Sequence, residues 1–308
     1  MAQMSFEGRV AVVTGAGGGL GRQHALLLAR RGAQVVVNDV GGSVNGTGTS
    51  AAPAQAVAAE ITAAGGVAVA DTHDITSAAA GEAIISTALD AFGRVDVIVN
   101  NAGILRDRTI VGLTDDEWDA VLAVHLDGAY QLTRAAWRSM RDQGYGRIVN
   151  TTSSVGLWGN YGQANYGAAK MGLVGLTKVS AHEGAKYGIK ANAIAPVART
   201  RMTEDVLGAL VEHVDPALVS PAVAFLAHED CPVSGEVVSV GGGRIARVFV
   251  AVTPGYFSET LSPEEIRDQW DWIRCEDGYQ VPASTFDEIA ILRDRLEASD
   301  RSRTETLR

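Results

Sequence analysis

The chain has 308 residues, of which 46% are hydrophobic and 20% charged, and its formal net charge is −10. This composition supplies a hydrophobic core and argues against disorder, while the negative charge argues against nucleic acid or an anionic membrane as a partner. The sequence has no apolar run of membrane-spanning length and no secretory signal, and Cys231 and Cys275 match no metal-binding spacing. We therefore expect a cytoplasmic globular protein that binds no metal ion.

Short apolar runs rich in valine and isoleucine alternate with helix-length segments in the first part of the chain. The predicted strands are Arg9–Thr14, Gln34–Asp39, Gly66–Ala70, Val95–Asn100, Gly146–Thr151, Ile189–Ala195 and Glu236–Val240. Helices are predicted at Leu20–Arg31, Ala51–Ala64 and Ala78–Phe92. Strands without polar alternation are typical of a parallel sheet covered on both faces. We predict a doubly wound (Rossmann) α/β sheet of about seven parallel strands, and an eight-unit barrel is the weaker alternative.

The last 60 residues differ in composition from the rest. Residues 249–308 hold 7 basic and 13 acidic side chains, against 19 and 23 in residues 1–248. Capping boxes at Ser262–Glu265 and Thr285–Glu288 predict two helix starts. The apolar stripes that follow them are Ile266, Trp270 and Ile273, and Ile289, Leu292 and Leu296. We predict a nucleotide-binding domain at 1–248 and a helical extension at 249–308, which forms a lid or an oligomer contact.

A glycine-rich turn follows the first predicted strand. In the segment TGAGGGLGR at residues 14–22, Gly15, Gly19 and Gly21 have the spacing T-G-x-x-x-G-x-G. Such a turn presents backbone N–H groups and a helix N-terminus to a pyrophosphate. A flexible turn is the alternative, but the place between a buried strand and a helix favours a dinucleotide.

Asp39 ends the second predicted strand. A carboxylate there accepts the hydroxyls of an adenosine ribose and repels a 2′-phosphate. No Lys or Arg occurs in Val37–Ser43, so the sequence favours NAD over NADP, with a solvated turn aspartate as the alternative. The other predicted cofactor contacts are Leu20, Asp74, Ile75, Asn101, Ala102, Gly103, Pro196 and Thr200.

Tyr166 and Lys170 are four residues apart, so on a helix they share a face. Ser153 lies thirteen residues upstream of Tyr166, at the end of the fifth predicted strand. Together with the glycine turn and Asn100–Gly103, these residues resemble the short-chain dehydrogenase/reductase superfamily over roughly residues 6–245.

The resemblance implies catalytic roles for these three residues. Tyr166 is the expected acid/base, and it needs a nearby positive charge because a free phenol has a pKa of ~10. Lys170 is expected to supply that charge and to hold the nicotinamide ribose. Ser153 is expected to orient the substrate oxygen.

Two positions depart from the superfamily pattern. His125 stands in the helix where many members have Asn, and it is either a proton relay or a core histidine. Pro196-Val197 replaces a common Pro-Gly, although Thr200 still follows and can bond the nicotinamide amide.

Longer segments are similar to the (3R)-hydroxyacyl-CoA dehydrogenase unit of peroxisomal multifunctional enzyme type 2, also called 17β-hydroxysteroid dehydrogenase type 4. They are VVVNDVGG, NNAGILRD and GNYGQANY, together with His125. The resemblance implies NAD-linked oxidation of (3R)-hydroxyacyl-CoA to 3-oxoacyl-CoA in lipid or sterol side-chain catabolism. A 17β-hydroxysteroid dehydrogenase, a 3-oxoacyl-thioester reductase and a non-catalytic NAD sensor or scaffold remain as alternatives. Asp39 argues against the reductase, and the intact Tyr166 and Lys170 argue against the sensor.

The substrate side is less defined. Trp158 and Tyr161 are predicted to line an apolar channel beside Ser153 and Tyr166. The pairs Arg106/Arg108 and Arg199/Arg201 are candidates for binding CoA phosphates, with ordinary surface arginines as the alternative. The resemblance also implies a homodimer or homotetramer.

Overall fold

The computed structural model describes residues 3–77, 79–200, 203 and 208–306, without the side chains of 299–306. Ala78, the first residue of a predicted helix, and Arg201, a predicted CoA contact, lie outside the described residues. The chain divides into two compact units, with the boundary between Arg247 and Val248.

The first unit is built on one eight-stranded sheet with the order β3-β2-β1-β4-β5-β6-β7-β8. The strands are β1 (Val10–Thr14), β2 (Gln34–Asn38), β3 (Val67–Asp71), β4 (Val97–Asn100), β5 (Gly146–Thr151), β6 (Ile189–Pro196), β7 (Val237–Gly241) and β8 (Arg244–Val248). Strands β1 to β7 pair in parallel. The predicted doubly wound α/β class is therefore confirmed, because the strand order reverses between β1 and β4 as in a Rossmann sheet.

Eight helices belong to this unit among the described residues. They are α1 (Gly19–Arg30), α2 (Ala52–Ala63), α3 (Ala80–Phe92), α4 (Asp115–Leu122), α5 (Gly128–Gln143), α6 (Ser154–Trp158), α7 (Ala164–Gly184) and α8 (Ser220–Ala227). A single π-helical turn, Ala123–Asp127, joins α4 to α5. Short 3-10 turns lie at Ala185–Tyr187, Gly208–Glu212 and Pro216–Leu218.

Apolar side chains cover both faces of the sheet. One face packs against α1, α2 and α8, with Leu28 and Ile61 in that core. The other packs against α3 and α5, with Ile84 and Leu132 buried there. Burial on both faces explains why the strands lack polar alternation, and it leaves the carboxyl ends of the strands as the open edge for a ligand.

Strand β8 was not predicted. Gly242 and Gly243 connect it to β7, and their φ values are 56° and 80°. Two consecutive residues with positive φ form the tight turn that suits a hairpin, so β8 runs antiparallel to β7. The polar Arg244 and Arg247 interrupt the apolar pattern of this strand, which is why periodicity did not indicate it.

The second unit contains three helices in its described part: α9 (Pro263–Asp268), α10 (Trp270–Ile273) and α11 (Thr285–Thr306). An isolated antiparallel bridge joins Val252 to Gln280. The first capping box is present as predicted, because Ser262 Oγ accepts from the Glu265 amide and Glu265 Oε2 accepts from the Ser262 amide, at 3.1 and 2.9 Å.

The second capping box was predicted one residue too late. Ser284 Oγ accepts from the Asp287 amide at 3.3 Å, and Asp287 Oδ2 accepts from the Ser284 amide at 3.0 Å. Asp287 also accepts from the Ala283 amide at 2.9 Å. This extra bond favours Ser284 rather than Thr285 as the cap, since Asp287 satisfies two amide groups at the helix entrance.

The apolar stripes of the second unit are not buried by their own unit. The side chains of Trp270, Ile289, Leu292 and Leu296 are exposed, and a break at Gln269 separates α9 from α10. Across the described residues of both units, no helix combines the length and the apolar character needed to cross a bilayer.

Candidate active site

The predicted site residues gather around one cavity of about 920 Å³ in the first unit, at the carboxyl ends of the parallel strands. The predicted residues that line it are Gly15, Gly19, Leu20, Asp39, Asp74, Ile75, Asn101, Ala102, Gly103, His125, Ser153, Trp158, Tyr161, Tyr166, Lys170, Pro196 and Thr200. The predicted residues therefore lie together at this edge of the sheet.

The glycine turn leaves its backbone open to the cavity. Gly15 has φ 64°, and a Cβ atom there would lie 2.8 Å from the Ala102 Cα. Gly18 precedes α1 without any side-chain cap, and no heavy atom lies within 4 Å of where its Cβ would be. The free amide groups at this helix start fit a pyrophosphate, because they carry the positive end of the helix dipole.

Gly21 does not line the cavity, although we predicted it as a cofactor contact. A Cβ atom at Gly21 would lie 2.2 Å from the Gly15 carbonyl oxygen. Its role is thus to let α1 pack against the turn. Gly21 therefore lies against the Gly15 backbone rather than at the cavity surface.

Asp39 is fixed at the wall of the cavity by two backbone amides. Its Oδ2 accepts from the Gly17 amide at 2.8 Å, and its Oδ1 accepts from the Gly41 amide at 2.7 Å. A carboxylate held in this way retains lone pairs for ribose hydroxyls. The geometry fits the ribose of a dinucleotide beside the glycine turn.

The loop of residues 41–50, here called the 41–50 loop, forms another wall of the cavity. The Leu105 amide donates to the Val44 carbonyl at 2.9 Å, and Arg106 Nε donates to the Asn45 carbonyl at 3.1 Å. The sequence identified no contact for this loop, because such pairings between two irregular segments have no periodic signature.

The turn after β4 is bonded directly to the glycine turn. Asn101 Nδ2 donates to the carbonyls of Thr14 and Gly15, at 3.0 and 3.2 Å. The Thr14 hydroxyl accepts from the amides of Asn101 and Ala102, each at 3.1 Å. These bonds fix the turn after β4 relative to the glycine turn. A side chain on Gly103 would collide with His125, at 2.4 Å from its Cε1.

Helix α7 places Tyr166 and Lys170 one turn apart, with the Lys170 Nζ 5.5 Å from the centre of the Tyr166 ring. Ser153 caps α6, and its Oγ accepts from the Val155 amide at 3.1 Å. Burial raises the pKa of the Tyr166 phenol, a hydrogen bond with Ser153 lowers it, and the charge of Asp107 raises it further. The net shift is upward, so the phenol is protonated at neutral pH.

Lys170 is almost fully buried. Its Nζ donates to the Thr151 carbonyl at 2.5 Å, and burial lowers its pKa to about 7. We expected Lys170 to lower the pKa of Tyr166, whereas burial, the largest influence on this phenol, raises it. The physical reason is that burial disfavours the charged form of both groups.

His125 lies on the π-helical turn, with its ring edge facing Tyr166 at 5.1 Å between centroids. Its Nε2 is 2.8 Å from the Ile104 carbonyl, and its Nδ1 has no hydrogen-bond partner among the described residues. Burial, and then the charge of Lys170, hold its pKa well below the usual value, so the ring is neutral. A void of about 10 Å³, lined by Lys170 and Asn100 among others, adjoins the ring.

Three residues at or next to the cavity were not predicted from the sequence: Asp107, Gln163 and Asn165. Asp107 Oδ2 accepts from Gln163 Nε2 at 2.8 Å, and both residues line the cavity. Asn165 is buried beneath them, donates to the Arg106 carbonyl at 3.0 Å and accepts from the Tyr166 amide at 2.8 Å. Their positions within NNAGILRD and GNYGQANY were the available signal.

The predicted substrate contacts Trp158 and Tyr161 line the cavity but are 66% and 87% exposed. Of the predicted arginines within the described residues, only Arg106 lines it. Arg108 instead pairs with Glu117 at 3.5 Å. In the described part of the chain, no group of three or more His, Cys, Asp or Glu side chains is arranged to hold a metal ion.

Comparison with known proteins gives matches over most of the chain. Residues 9–208 match the short chain dehydrogenase family. Peroxisomal multifunctional enzyme type 2 of Mus musculus is 50% identical over 275 residues, which are 88% of this chain and 37% of that protein. A hydroxyacyl-CoA dehydrogenase of Mycobacterium tuberculosis is 43% identical over 259 residues, 79% of this chain and 80% of that one.

The solved structure of full-length peroxisomal multifunctional enzyme type 2 from Drosophila melanogaster has a TM-score of 0.80 and 35% identity. The match covers 96% of this chain and 50% of that one. The chain thus spans less than two thirds of the multifunctional relatives it matches. The family match and the convergent Ser153, Tyr166 and Lys170 lead to one conclusion: this chain is an oxidoreductase of the short-chain dehydrogenase family.

Proposed function

We propose that this enzyme uses NAD to oxidise a (3R)-hydroxyacyl-CoA to the 3-oxoacyl-CoA. The observation that carries the proposal is the convergence of Ser153, Tyr166 and Lys170 on the cavity that also contains the glycine turn and Asp39. A secondary alcohol bound against Tyr166 would meet the nicotinamide end of a dinucleotide whose pyrophosphate lies at the glycine turn.

The acyl-CoA substrate is supported by two independent observations. The relative from Mycobacterium tuberculosis that covers most of this chain is named a hydroxyacyl-CoA dehydrogenase. The exposed aromatic rings of Trp158 and Tyr161 also provide an apolar rim at the cavity, which suits an acyl chain entering from solvent.

In the proposed mechanism, Ser153 and Tyr166 hold the hydroxyl group of the substrate. The bound nicotinamide supplies the acceptor for the hydride. The tyrosinate form of Tyr166 takes the hydroxyl proton as general base, and Ser153 stabilises the charge that develops on the substrate oxygen. Because burial raises the pKa of Tyr166, oxidation is expected to become faster as the pH rises.

Lys170 and His125 provide a route for the proton away from Tyr166. With a pKa of about 7, Lys170 exists near neutral pH partly as the free amine, which accepts a proton. His125 Nε2 lies 2.8 Å from the Ile104 carbonyl and 3.1 Å from the Ile104 amide. The relay uses the tautomer that carries its proton on Nε2, which leaves a free lone pair on the unpartnered Nδ1. The adjoining void has room for about one water molecule between the two groups. We assign His125 to this relay rather than to core packing alone.

The cofactor assignment to NAD rests on Asp39. Its carboxylate is fixed beside the glycine turn, and a 2′-phosphate would be repelled there. Pro196 and Thr200 line the cavity at the end of β6 and are assigned to the nicotinamide side. Gly21 is assigned to support of the turn.

The proposal also covers the domains, the assembly and the location of the protein. We assign residues 1–248 to the catalytic domain and residues 249–308 to a helical extension that acts as a lid or oligomer contact. A homodimer or homotetramer in the cytoplasm is part of this proposal, and the exposed apolar stripes of α10 and α11 support an oligomer contact.

The proposed function is tested by measuring the reduction of NAD or NADP through the absorbance of the reduced cofactor. We expect (3R)-hydroxybutyryl-CoA with NAD to react faster than its (3S) isomer, than a 17β-hydroxysteroid, and than the same thioester with NADP. A faster reaction with the steroid would favour the hydroxysteroid dehydrogenase. Faster 3-oxoacyl-thioester reduction with NADPH would favour the biosynthetic reductase, and cofactor binding without turnover of any substrate would favour a sensor.

A further inference from the structure

We infer that Asp107 selects against substrates that carry a carboxylate of their own close to the reacting hydroxyl group. The site would then accept neutral acyl derivatives, such as thioesters and esters, and discriminate against the free 3-hydroxy acid. The inference rests on the proposed function, because it concerns the substrate class of the same cavity.

The position of Asp107 is fixed by contacts with the segment that begins α7. Its Oδ2 accepts from Gln163 Nε2 at 2.8 Å, and Asn160 Nδ2 donates to Gln163 Oε1 at 2.8 Å. The second bond orients the Gln163 amide so that its NH₂ group faces Asp107. A backbone bridge between Arg108 and Gln163 fixes the same two segments. The carboxylate is thus held on the cavity wall by Gln163, which lies three residues before Tyr166 in the chain.

No cation neutralises Asp107 among the residues that the structure describes. Its neighbour Arg106 donates instead to the carbonyls of Asn45 and Asp116. The other neighbour, Arg108, pairs with Glu117. Gln163 contributes a neutral amide, so the negative charge of Asp107 acts on whatever occupies the cavity.

The charge of Asp107 reaches the reacting centre. It contributes to the raised pKa of Tyr166, alongside burial, whereas a hydrogen bond with Ser153 opposes it. The other titratable groups facing the phenol are His125, which is neutral, and Lys170, with a pKa of about 7. Asp107 is therefore the anionic group whose charge acts on the Tyr166 phenol.

A free 3-hydroxy acid carries its carboxylate two carbon atoms from the reacting carbon. When its hydroxyl group contacts Tyr166, the carboxylate of such an acid lies in the cavity that Asp107 also lines. Since Asp107 is solvent-exposed, the repulsion is partly screened, and a discrimination of about tenfold is expected. A thioester or an ester at the same position has no charge to repel.

The test compares methyl (R)-3-hydroxybutyrate with (R)-3-hydroxybutyrate, which have nearly the same size and differ in charge. We expect kcat/KM to favour the ester, and Asp107→Asn to reduce the ester-to-acid ratio by about tenfold. Asn retains an oxygen that accepts from Gln163. The matched control is Asp90→Asn, which removes an exposed charge on α3 outside the cavity and should leave the ratio as in the wild type. An unchanged ratio in Asp107→Asn would overturn the inference.

Two measurements separate this inference from the proposed function, because neither needs turnover. Calorimetric binding of methyl acetoacetate and of acetoacetate should show the same discrimination, and Asp107→Asn should reduce it. Ultraviolet titration of tyrosinate should show a lower pKa for Tyr166 in Asp107→Asn, with Tyr166→Phe identifying the signal. If turnover of every alcohol fails but both measurements behave as expected, the proposed reaction is wrong and the anion selection stands. If neither measurement changes, the inference fails.

Discussion

The two ends of the cavity are built from different parts of the chain. The end assigned to the cofactor consists largely of backbone: glycines allow close approach, and Gly17 and Gly41 amides fix Asp39. The catalytic end consists of side chains that burial has moved away from their ordinary pKa values, in particular Tyr166 and Lys170. The cofactor end therefore depends on steric fit, and the catalytic end depends on charge.

The largest effect is expected at the catalytic end. Tyr166→Phe removes the acid/base group but keeps the ring, so kcat should fall by about a thousandfold while NADH affinity stays close to that of the wild type. Steady-state rates and fluorescence titration with NADH measure the two quantities. Tyr187→Phe is a matched control, because its phenol lies outside the cavity. A variant that kept its turnover would remove Tyr166 from the chemistry.

At the cofactor end, adding one methyl group to a glycine of the turn should weaken NAD binding. Gly21→Ala places a Cβ atom 2.2 Å from the Gly15 carbonyl oxygen, so the turn must shift, and NAD affinity should fall by up to about a hundredfold. Gly175→Ala is the control, since this helical glycine has no heavy atom within 4 Å of its would-be Cβ. Equal affinities in both variants would show that the turn does not depend on close packing.

A smaller effect, on stability, tests the charge burial at the catalytic end. Because burial lowers the pKa of Lys170 to about 7, the folded protein bears the full cost of the buried charge below that pH. The cost decreases as the pH rises towards the unfolded value of ~10.4. Lys170→Met should therefore increase the free energy of unfolding more at pH 6 than at pH 9, by about 2 kcal/mol.

Denaturant unfolding at the two pH values measures this difference. Lys178→Met is the matched control, because Lys178 lies on the same helix and is exposed. A pH-independent difference between Lys170→Met and the wild type would mean that Lys170 is not buried as an ionisable group.

The sequence predicted the parts of the fold that repeat a simple pattern. Strands β1 to β7 begin and end within two residues of their predicted limits, because buried parallel strands are continuous apolar runs. Strand β8 was missed because Arg244 and Arg247 interrupt its apolar pattern next to a double glycine. The cap of α11 was misplaced by one residue, since Ser284 and Thr285 are equally suited to cap by type, and the local bonds between Asp287 and the amides of Ala283 and Ser284 decided between them.

The sequence predicted those site residues that belong to recognisable motifs. The glycine turn, Asp39, Ser153, Tyr166 and Lys170 carry recognisable spacing, and the structure brings them to one cavity. The hydrogen bonds of the 41–50 loop and of Asn165 join segments that are far apart in the chain. A local sequence pattern therefore cannot predict them. The influence of burial on the pKa of Tyr166 also had no signal in the sequence, because it depends on packing in three dimensions.

The hairpin formed by β7 and β8 has a consequence for assembly. By occupying the hydrogen-bonding edge of β7, β8 prevents the sheets of two molecules from joining through that strand. Any added strand would have to pair with β8, where Arg244 is exposed and Arg247 is engaged with Glu236 at 3.2 Å. Charged side chains of this kind discourage edge-to-edge association, so at this margin the molecule is protected against open-ended polymerisation.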